Sequence, residues 1–82
     1  SLHAKATVEL RKVCAHLNLP WEPEEEVATV GGLITERLGR LPARGDTVGW
    51  NGCRLEVLSV GARRPELIEI RRLSLDEGWD AD

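Results

Sequence analysis

Residues 29–57 read TVGGLITERLGRLPARGDTVGWNGCRLEV, a stretch that combines a helical pattern with a hairpin pattern. Apolar residues recur at helical spacing from Val30 to Leu38, behind a threonine that can cap the helix and before Gly39, which can end it. The dipeptide Asn51-Gly52 then separates two alternating apolar and polar runs, and both of its residues accept the positive φ of a type I′ turn. The stretch therefore predicts a helix followed by a β-hairpin.

A second helical pattern lies upstream of this stretch. Four apolar residues fall at i, i+3, i+4 and i+7, which places them on one face of a helix: Leu10, Val13, Cys14 and Leu17. Thr7 is a suitable cap for the start of this helix. Pro20 disfavours helical geometry at the residue before it, so we expect the helix to end near Asn18.

Downstream of the hairpin the sequence predicts one more strand. Leu67 to Arg72 follows a turn formed by Gly61 to Pro65, and this completes a β-meander of three antiparallel strands. The stretch before Thr7 can add an edge strand. The predicted fold class is therefore α+β, with two helices packed on a small, mainly antiparallel sheet of three to four strands.

The composition indicates one small globular domain. Its 82 residues are 41% hydrophobic and 30% charged, which is close to ordinary globular domains and far from disordered chains. The apolar runs are much shorter than the roughly 20 residues that cross a bilayer. We therefore expect a cytoplasmic domain over residues 1–73, cut out of a larger protein and followed by an acidic, mobile tail over residues 74–82.

The charge pattern argues against a nucleic acid as partner. The net charge is −3, the lysines and arginines are not segregated on one part of the chain, and the sequence contains no Phe or Tyr. Binding of nucleic acid usually needs clustered basic residues together with aromatic side chains that stack on bases. We exclude that class of function.

The two cysteines are predicted to be structural. Cys14 and Cys53 are too few for a disulfide framework and too far apart in sequence for a zinc knuckle. Both occupy apolar positions of predicted elements. We expect reduced thiols that are buried as small hydrophobic side chains, with a redox or metal role as the alternative.

The sequence contains no constellation typical of an enzyme. Nucleophilic or acid–base catalysis needs a nucleophile beside a base, or paired carboxylates on rigid elements. The histidines are His3 and His16, and His16 lies near the end of a predicted helix, where solvation explains it. The glycines match neither GxGxxG nor GxxxxGK[ST], so no phosphate cradle is encoded. We predict that the domain is not an enzyme and has no cofactor.

Three groups of residues remain as candidates for binding. Arg63 and Arg64 could grip an anion, although arginines near a turn more commonly serve solubility and ion pairing. The tail carboxylates could hold a cation at the cost of ordering the tail; they are Asp76, Glu77, Asp80 and Asp82. Trp21 and Trp79 lie outside the apolar patterns of the predicted helices and strands, so nothing indicates that they are buried. They are candidates for contact with a partner or a second copy.

The paired glycines at the start of the second helix need an explanation. Gly31 and Gly32 each cost about 1 kcal/mol relative to alanine inside a helix. We expect them to let the helix approach the sheet closely, so that a larger side chain such as that of Gly32→Val would clash.

Taken together, these motifs strongly resemble the CorC/HlyC transporter-associated domain. The resemblance covers nearly the whole chain, and it is carried by residues 29–48, by Asn51-Gly52, by residues 55–58 (LEVL) and by Arg63-Arg64. Its most specific part is the glycine-containing helix, the Leu-Pro step at residues 41–42 and the Gly-Asp step at residues 45–46.

The resemblance implies a role in ion transport. In that family the domain follows a pair of CBS domains at the cytoplasmic C-terminus, usually behind a membrane domain, in proteins implicated in magnesium and cobalt efflux and often labelled hemolysin-like. The implied function is a regulatory or interaction module, with the CBS domains and a membrane domain of the same parent as partners and a homodimer as a further possibility. The family fold also resembles part of a flavin-binding fold, which makes FAD or an adenine nucleotide the alternative ligand.

Overall fold

The computed structural model describes residues 1–21 and 27–73. These residues form two helices and four strands, which follow one another as β1 (Leu2–Lys5), α1 (Leu10–Leu17), α2 (Val30–Leu38), β2 (Thr47–Trp50), β3 (Cys53–Val60) and β4 (Pro65–Arg72). The strands make one antiparallel sheet in the order β1-β4-β3-β2. The predicted α+β class, the meander and the additional edge strand are all confirmed.

One face of the sheet carries the hydrophobic core, and both helices pack on it. The strands alternate as predicted, so that every second side chain points to the helices. The buried apolar residues are Ala4, Ala6, Leu10, Val13, Cys14, Val30, Leu33, Ile34, Trp50, Cys53, Leu55, Val57, Ile68 and Ile70. The two cysteines are thus buried, free thiols, as their apolar positions predicted.

The hairpin turn forms where the sequence placed it. Asn51 and Gly52 have φ values of 53° and 76°, and they connect the paired residues Trp50 and Cys53. Asn51 also donates a hydrogen bond from Nδ2 to the carbonyl oxygen of Pro20, at 2.7 Å. The turn therefore anchors the chain that leaves α1 in addition to reversing the strand.

Two element boundaries differ from the sequence prediction. The first helix starts at Leu10, with Glu9 as its cap, and not at Thr7. The reason is tertiary, because Glu9 forms a β-bridge with Thr29 and is therefore held in extended geometry. The last strand begins at Pro65, two residues earlier than predicted, because Pro65 pairs with Val60, the last residue of β3. Proline is compatible with the first residue of a strand.

A set of backbone hydrogen bonds joins the segment before α1 to the segment before α2. They run from the amide of Leu10 to the carbonyl of Ala28 (2.8 Å), from Val30 to Val8 (3.0 Å) and from Gly31 to Ala6 (2.8 Å). The amide of Ala6 donates in turn to the carbonyl of Glu66, at 2.8 Å. We call this set the backbone latch; it attaches α2 to β1 and, through β1, to β4.

The latch requires glycine at position 31. A Cβ atom at Gly31 would lie 2.8 Å from the Cβ of Ala6 and 3.1 Å from its carbonyl oxygen. At Gly32 the nearest atom would be the capping hydroxyl of Thr29, at 3.2 Å, and not an atom of the sheet. The predicted close approach of helix to sheet is therefore confirmed for Gly31, whereas for Gly32 it was wrong.

The two glycines provide a matched test. We expect Gly31→Ala to lower the free energy of unfolding by about 1–3 kcal/mol, because the new methyl group overpacks against Ala6. Gly32→Ala should change it by less than about 1 kcal/mol, since improved helix propensity offsets a small shift of the cap. Urea unfolding measures both. A Gly31→Ala protein at least as stable as wild type would contradict the close packing.

Candidate functional site

A concave surface lies where the end of β1, the start of α2 and the start of β4 meet. It consists of two adjoining grooves with volumes of about 360 and 550 Å³. Both grooves are lined by Ala6, Thr7, Arg64 and Pro65. We call the two together the Arg64 groove, because Arg64 lines both.

The chemistry of the Arg64 groove is mixed. Ala6, Gly31 and Pro65 supply an apolar floor, and the threonines at its edge offer hydroxyl groups. Arg64 is exposed, and no hydrogen bond or ion pair with the described residues occupies its guanidinium group. Glu36 also borders the groove. Such a surface can accept an apolar side chain and a carboxylate at the same time.

The start of α2 faces this groove, yet its amides are already used. The helix amides donate to Val8 O and Ala6 O in the latch and to the hydroxyl and the carbonyl of Thr29, at distances of 2.8–3.1 Å. Anion binding at a helix terminus depends on amides that lack partners. The groove therefore offers an anion the guanidinium of Arg64 and not a helix terminus.

The structure separates the two arginines that the sequence grouped. Arg64 lines both grooves, whereas Arg63 is exposed and is not among the residues that line either. Adjacent residues in a turn project in different directions, and sequence alone gives no means of choosing between them. Of the predicted pair, only Arg64 belongs to the candidate site.

The other predicted site residues fall elsewhere. Trp21 is half-buried and packs against the hydrophobic core, and contact of its exposed part with a partner or a second copy stays a prediction. Trp79 lies outside the described residues, and so do the candidate cation ligands Asp76, Glu77, Asp80 and Asp82. Within residues 1–21 and 27–73 no group of three potential metal ligands comes together.

A second polar cluster, in the loop between α2 and β2, was missed by the sequence analysis. Both guanidinium nitrogens of Arg40 donate to the carboxylate of Asp46, at 2.9 and 3.0 Å, and the amide of Ala43 donates to the same carboxylate at 2.7 Å. The amide of Val57 in β3 donates to the Asp46 carbonyl, at 2.9 Å. This arrangement, the loop clip, gives a structural reason for the aspartate of the Gly-Asp step, which is part of the family resemblance.

The titratable groups of the clip and the core are shifted by their surroundings. The hydrogen bonds from Arg40 and from the Ala43 amide lower the pKa of Asp46. Burial raises the pKa of the Cys14 thiol, and the hydrogen bond from Asn51 offsets part of that effect. Burial likewise raises the pKa of Cys53. The two thiols are therefore held protonated, which makes them poor nucleophiles.

The comparison with known families agrees with the fold and the loop motif. Residues 1–74 match the family model of the transporter associated domain, CorC_HlyC. The chain belongs to this family. The match spans all six elements described above and includes the loop clip and the Arg64 groove.

Individual relatives place the domain within longer proteins. The magnesium and cobalt efflux protein CorC of Salmonella typhimurium is 40% identical over 48 residues, which cover 58% of this chain and 16% of that protein. Hemolysin C of Brachyspira hyodysenteriae is 36% identical over 58 residues, covering 71% and 22%. The chain therefore spans less than a quarter of the length of these curated relatives.

A solved structure matches at the level of the whole domain. The transporter-associated domain of a CBS domain protein from Porphyromonas gingivalis is 30% identical, with a TM-score of 0.77, and the match covers 88% of this chain and 87% of that one. Among the described residues, no helix is long and apolar enough to cross a membrane.

The loop clip predicts a specific pH dependence. Because the pKa of Asp46 is lowered below its usual 3.8, its ionised form stabilises the fold at neutral pH, and this contribution disappears as the pH falls below 3.8. We expect Asp46→Asn to destabilise the domain at pH 7, and the difference from wild type to shrink on acidification through that range. Unfolding curves at a series of pH values measure it.

Removal of Arg40, the residue that pairs with Asp46, is the control for the loop clip. In an Arg40→Ala background, the effect of Asp46→Asn should be smaller and should depend less on pH, because the bidentate hydrogen bonds are already gone. An unchanged effect in that background would contradict the clip.

Proposed function

We propose that this domain is a non-catalytic, cytoplasmic regulatory module of a magnesium and cobalt efflux protein of the hemolysin-like class. The observation that carries the proposal is the family match over residues 1–74, together with the similarity to CorC. In this role the domain modulates ion transport by binding other parts of the same polypeptide and does not itself carry the ion.

The proposed partners are the CBS domains of the parent protein. A relative with the same fold, 30% identical, is described as part of a CBS domain protein. An interaction within one polypeptide needs little buried area, because tethering raises the effective concentration of the partner. A groove with an apolar floor and a cation that pairs with none of residues 1–21 and 27–73 is adequate for such a contact.

The Arg64 groove is the surface that we assign to this contact. Its floor at Ala6, Gly31 and Pro65 can receive an apolar side chain, and the Arg64 guanidinium can bind a carboxylate of the partner. Because the latch fixes the floor through backbone hydrogen bonds, the site is already formed before the partner binds.

Several features favour a binding module over an enzyme. Both thiols are buried and held protonated. His3 and His16 are exposed, and His3 approaches a carboxylate, Glu69, rather than a nucleophile. General acid–base catalysis would require a base positioned beside the reacting group.

The alternative function is binding of FAD or an adenine nucleotide. Arg64 in a groove favours it, because a guanidinium group binds phosphate well. The occupied amides of α2 count against it, since phosphate groups at such a position usually bind free amides. Calorimetry with FAD and ATP distinguishes the two functions. Micromolar binding that Arg64→Ala weakens roughly tenfold, about 1.4 kcal/mol, would favour the nucleotide.

The regulatory proposal is tested in the polypeptide that carries the domain. We expect Arg64→Glu to change cobalt tolerance and efflux in the same direction as deletion of the domain, because it places a carboxylate where the partner's carboxylate must bind. Arg63→Glu has the same charge change outside the groove and should have little effect. Equal tolerance and efflux in wild type, deletion and Arg64→Glu strains would refute the proposal.

A further inference from the structure

The face of the sheet opposite the helices carries an ordered pattern of charges. Along β4 the inward residues are Ile68 and Ile70, so the outward ones are Leu67, Glu69 and Arg71. The ladder continues one residue beyond the strand, since the amide of Leu73 donates to the carbonyl of Gly52 at 2.9 Å. By the same alternation Leu73 belongs to this outer face, and it is 51% exposed.

The neighbouring strand repeats the charges instead of neutralising them. Glu56 of β3 lies directly opposite Glu69, and Arg54 lies directly opposite Arg71. Like charges in direct cross-strand pairs are destabilising. The outer face therefore consists of an arginine row (Arg54 and Arg71) beside a glutamate row (Glu56 and Glu69).

These four side chains do not compensate one another within the chain. They surround a shallow depression of about 190 Å³, and within the described residues no ion pair joins any two of them. Beside the glutamate row lies His3 of β1, whose Nε2 is 3.7 Å from Oε2 of Glu69. All four side chains are therefore available to pair with complementary charges of another molecule.

We propose that the outer face binds a second copy of the same chain. The two copies are related by a two-fold axis that lies between their outer faces, runs perpendicular to the strands and passes midway between the two rows. This axis places β4 over β4 and β3 over β3, with opposite chain directions. Arg71 of the second copy then lies over Glu69, and Arg54 of the second copy lies over Glu56. Each row meets the row of opposite charge, and the contact is isologous.

The same rotation also matches the apolar residues at the two ends of β4. The outward residues of β4 and its extension are, in order, Leu67, Glu69, Arg71 and Leu73. When two such rows run in opposite directions, each leucine faces a leucine and each glutamate faces an arginine. Leu73 of the second copy lies over Leu67, and Leu67 of the second copy lies over Leu73. Charge and hydrophobicity thus select the same axis, which is why we favour a second copy over an unrelated partner.

The size of the face sets the strength of this dimer. The strands β1 to β4 have 4, 4, 8 and 8 residues, and at about 3.3 Å per residue and about 4.8 Å between strands they cover roughly 380 Å² on each copy. The resulting total of roughly 760 Å² is smaller than a stable specific interface, so the dimer is weak and its ion pairs make it sensitive to salt. The two charge rows lie outside the Arg64 groove, and Leu67 is shared, since it also lines the smaller of the two grooves.

Charge reversal tests the arrangement. Sedimentation equilibrium of the full chain, from micromolar to millimolar concentration, should show a dimer that weakens in high salt. Arg71→Glu and Glu69→Arg should each weaken self-association at least roughly tenfold, because like charges then face each other across the axis. An equimolar mixture of the two variants should form a heterodimer, since every charged contact is complementary again.

The double variant with Glu69→Arg and Arg71→Glu in one chain is the matched control. It restores opposite charges across the axis and should dimerise more tightly than either single variant, although its new cross-strand ion pairs with Arg54 and Glu56 compete with the dimer contacts. Circular dichroism should show all variants folded. A wild-type chain that is monomeric at millimolar concentration in low salt would overturn the proposal, whatever else covers the face. So would single reversals that leave association unchanged, or a mixture that does not associate.

Discussion

The contact between Gly31 and Ala6 is the constraint on which the rest of the domain depends. It lets the backbone of α2 reach the end of β1, where the amide of Gly31 donates to the Ala6 carbonyl at 2.8 Å. The same Ala6 donates to β4 through Glu66. Helix, edge strand and meander thus meet at one small residue, which explains why a poor helix former stands in the first turn of α2.

This constraint also shapes the candidate site. The latch consumes the helix amides that could have bound a phosphate, and it leaves an apolar floor bordered by Arg64. At the other end of α2, the clip between Arg40 and Asp46 fixes the helix end to the first strand of the hairpin. With both ends of α2 held, the groove is a surface formed before any partner binds, which suits the proposed contact with neighbouring domains.

Local signals could be read from the sequence, and long-range ones could not. The Asn51-Gly52 turn and the helix stop at Gly39 require left-handed backbone that few residues accept, so their positions were predictable. The start of α1 was missed because Glu9 is held by a distant bridge. The loop clip was missed because Arg40 and Asp46, six residues apart in a loop, form no periodic pattern. Arg64 could not be distinguished from Arg63, since only the direction of the side chain separates them.

The central claim is that the Arg64 groove binds another part of the same polypeptide. Site-specific photo-crosslinking in the intact parent protein tests it most directly, with the photoreactive side chain at Thr35, which borders the groove, and at His16 as an exposed position away from it. The account predicts an intramolecular crosslink from position 35 to a CBS domain and none from position 16. Crosslinking from position 16 alone, or from neither position, would contradict it.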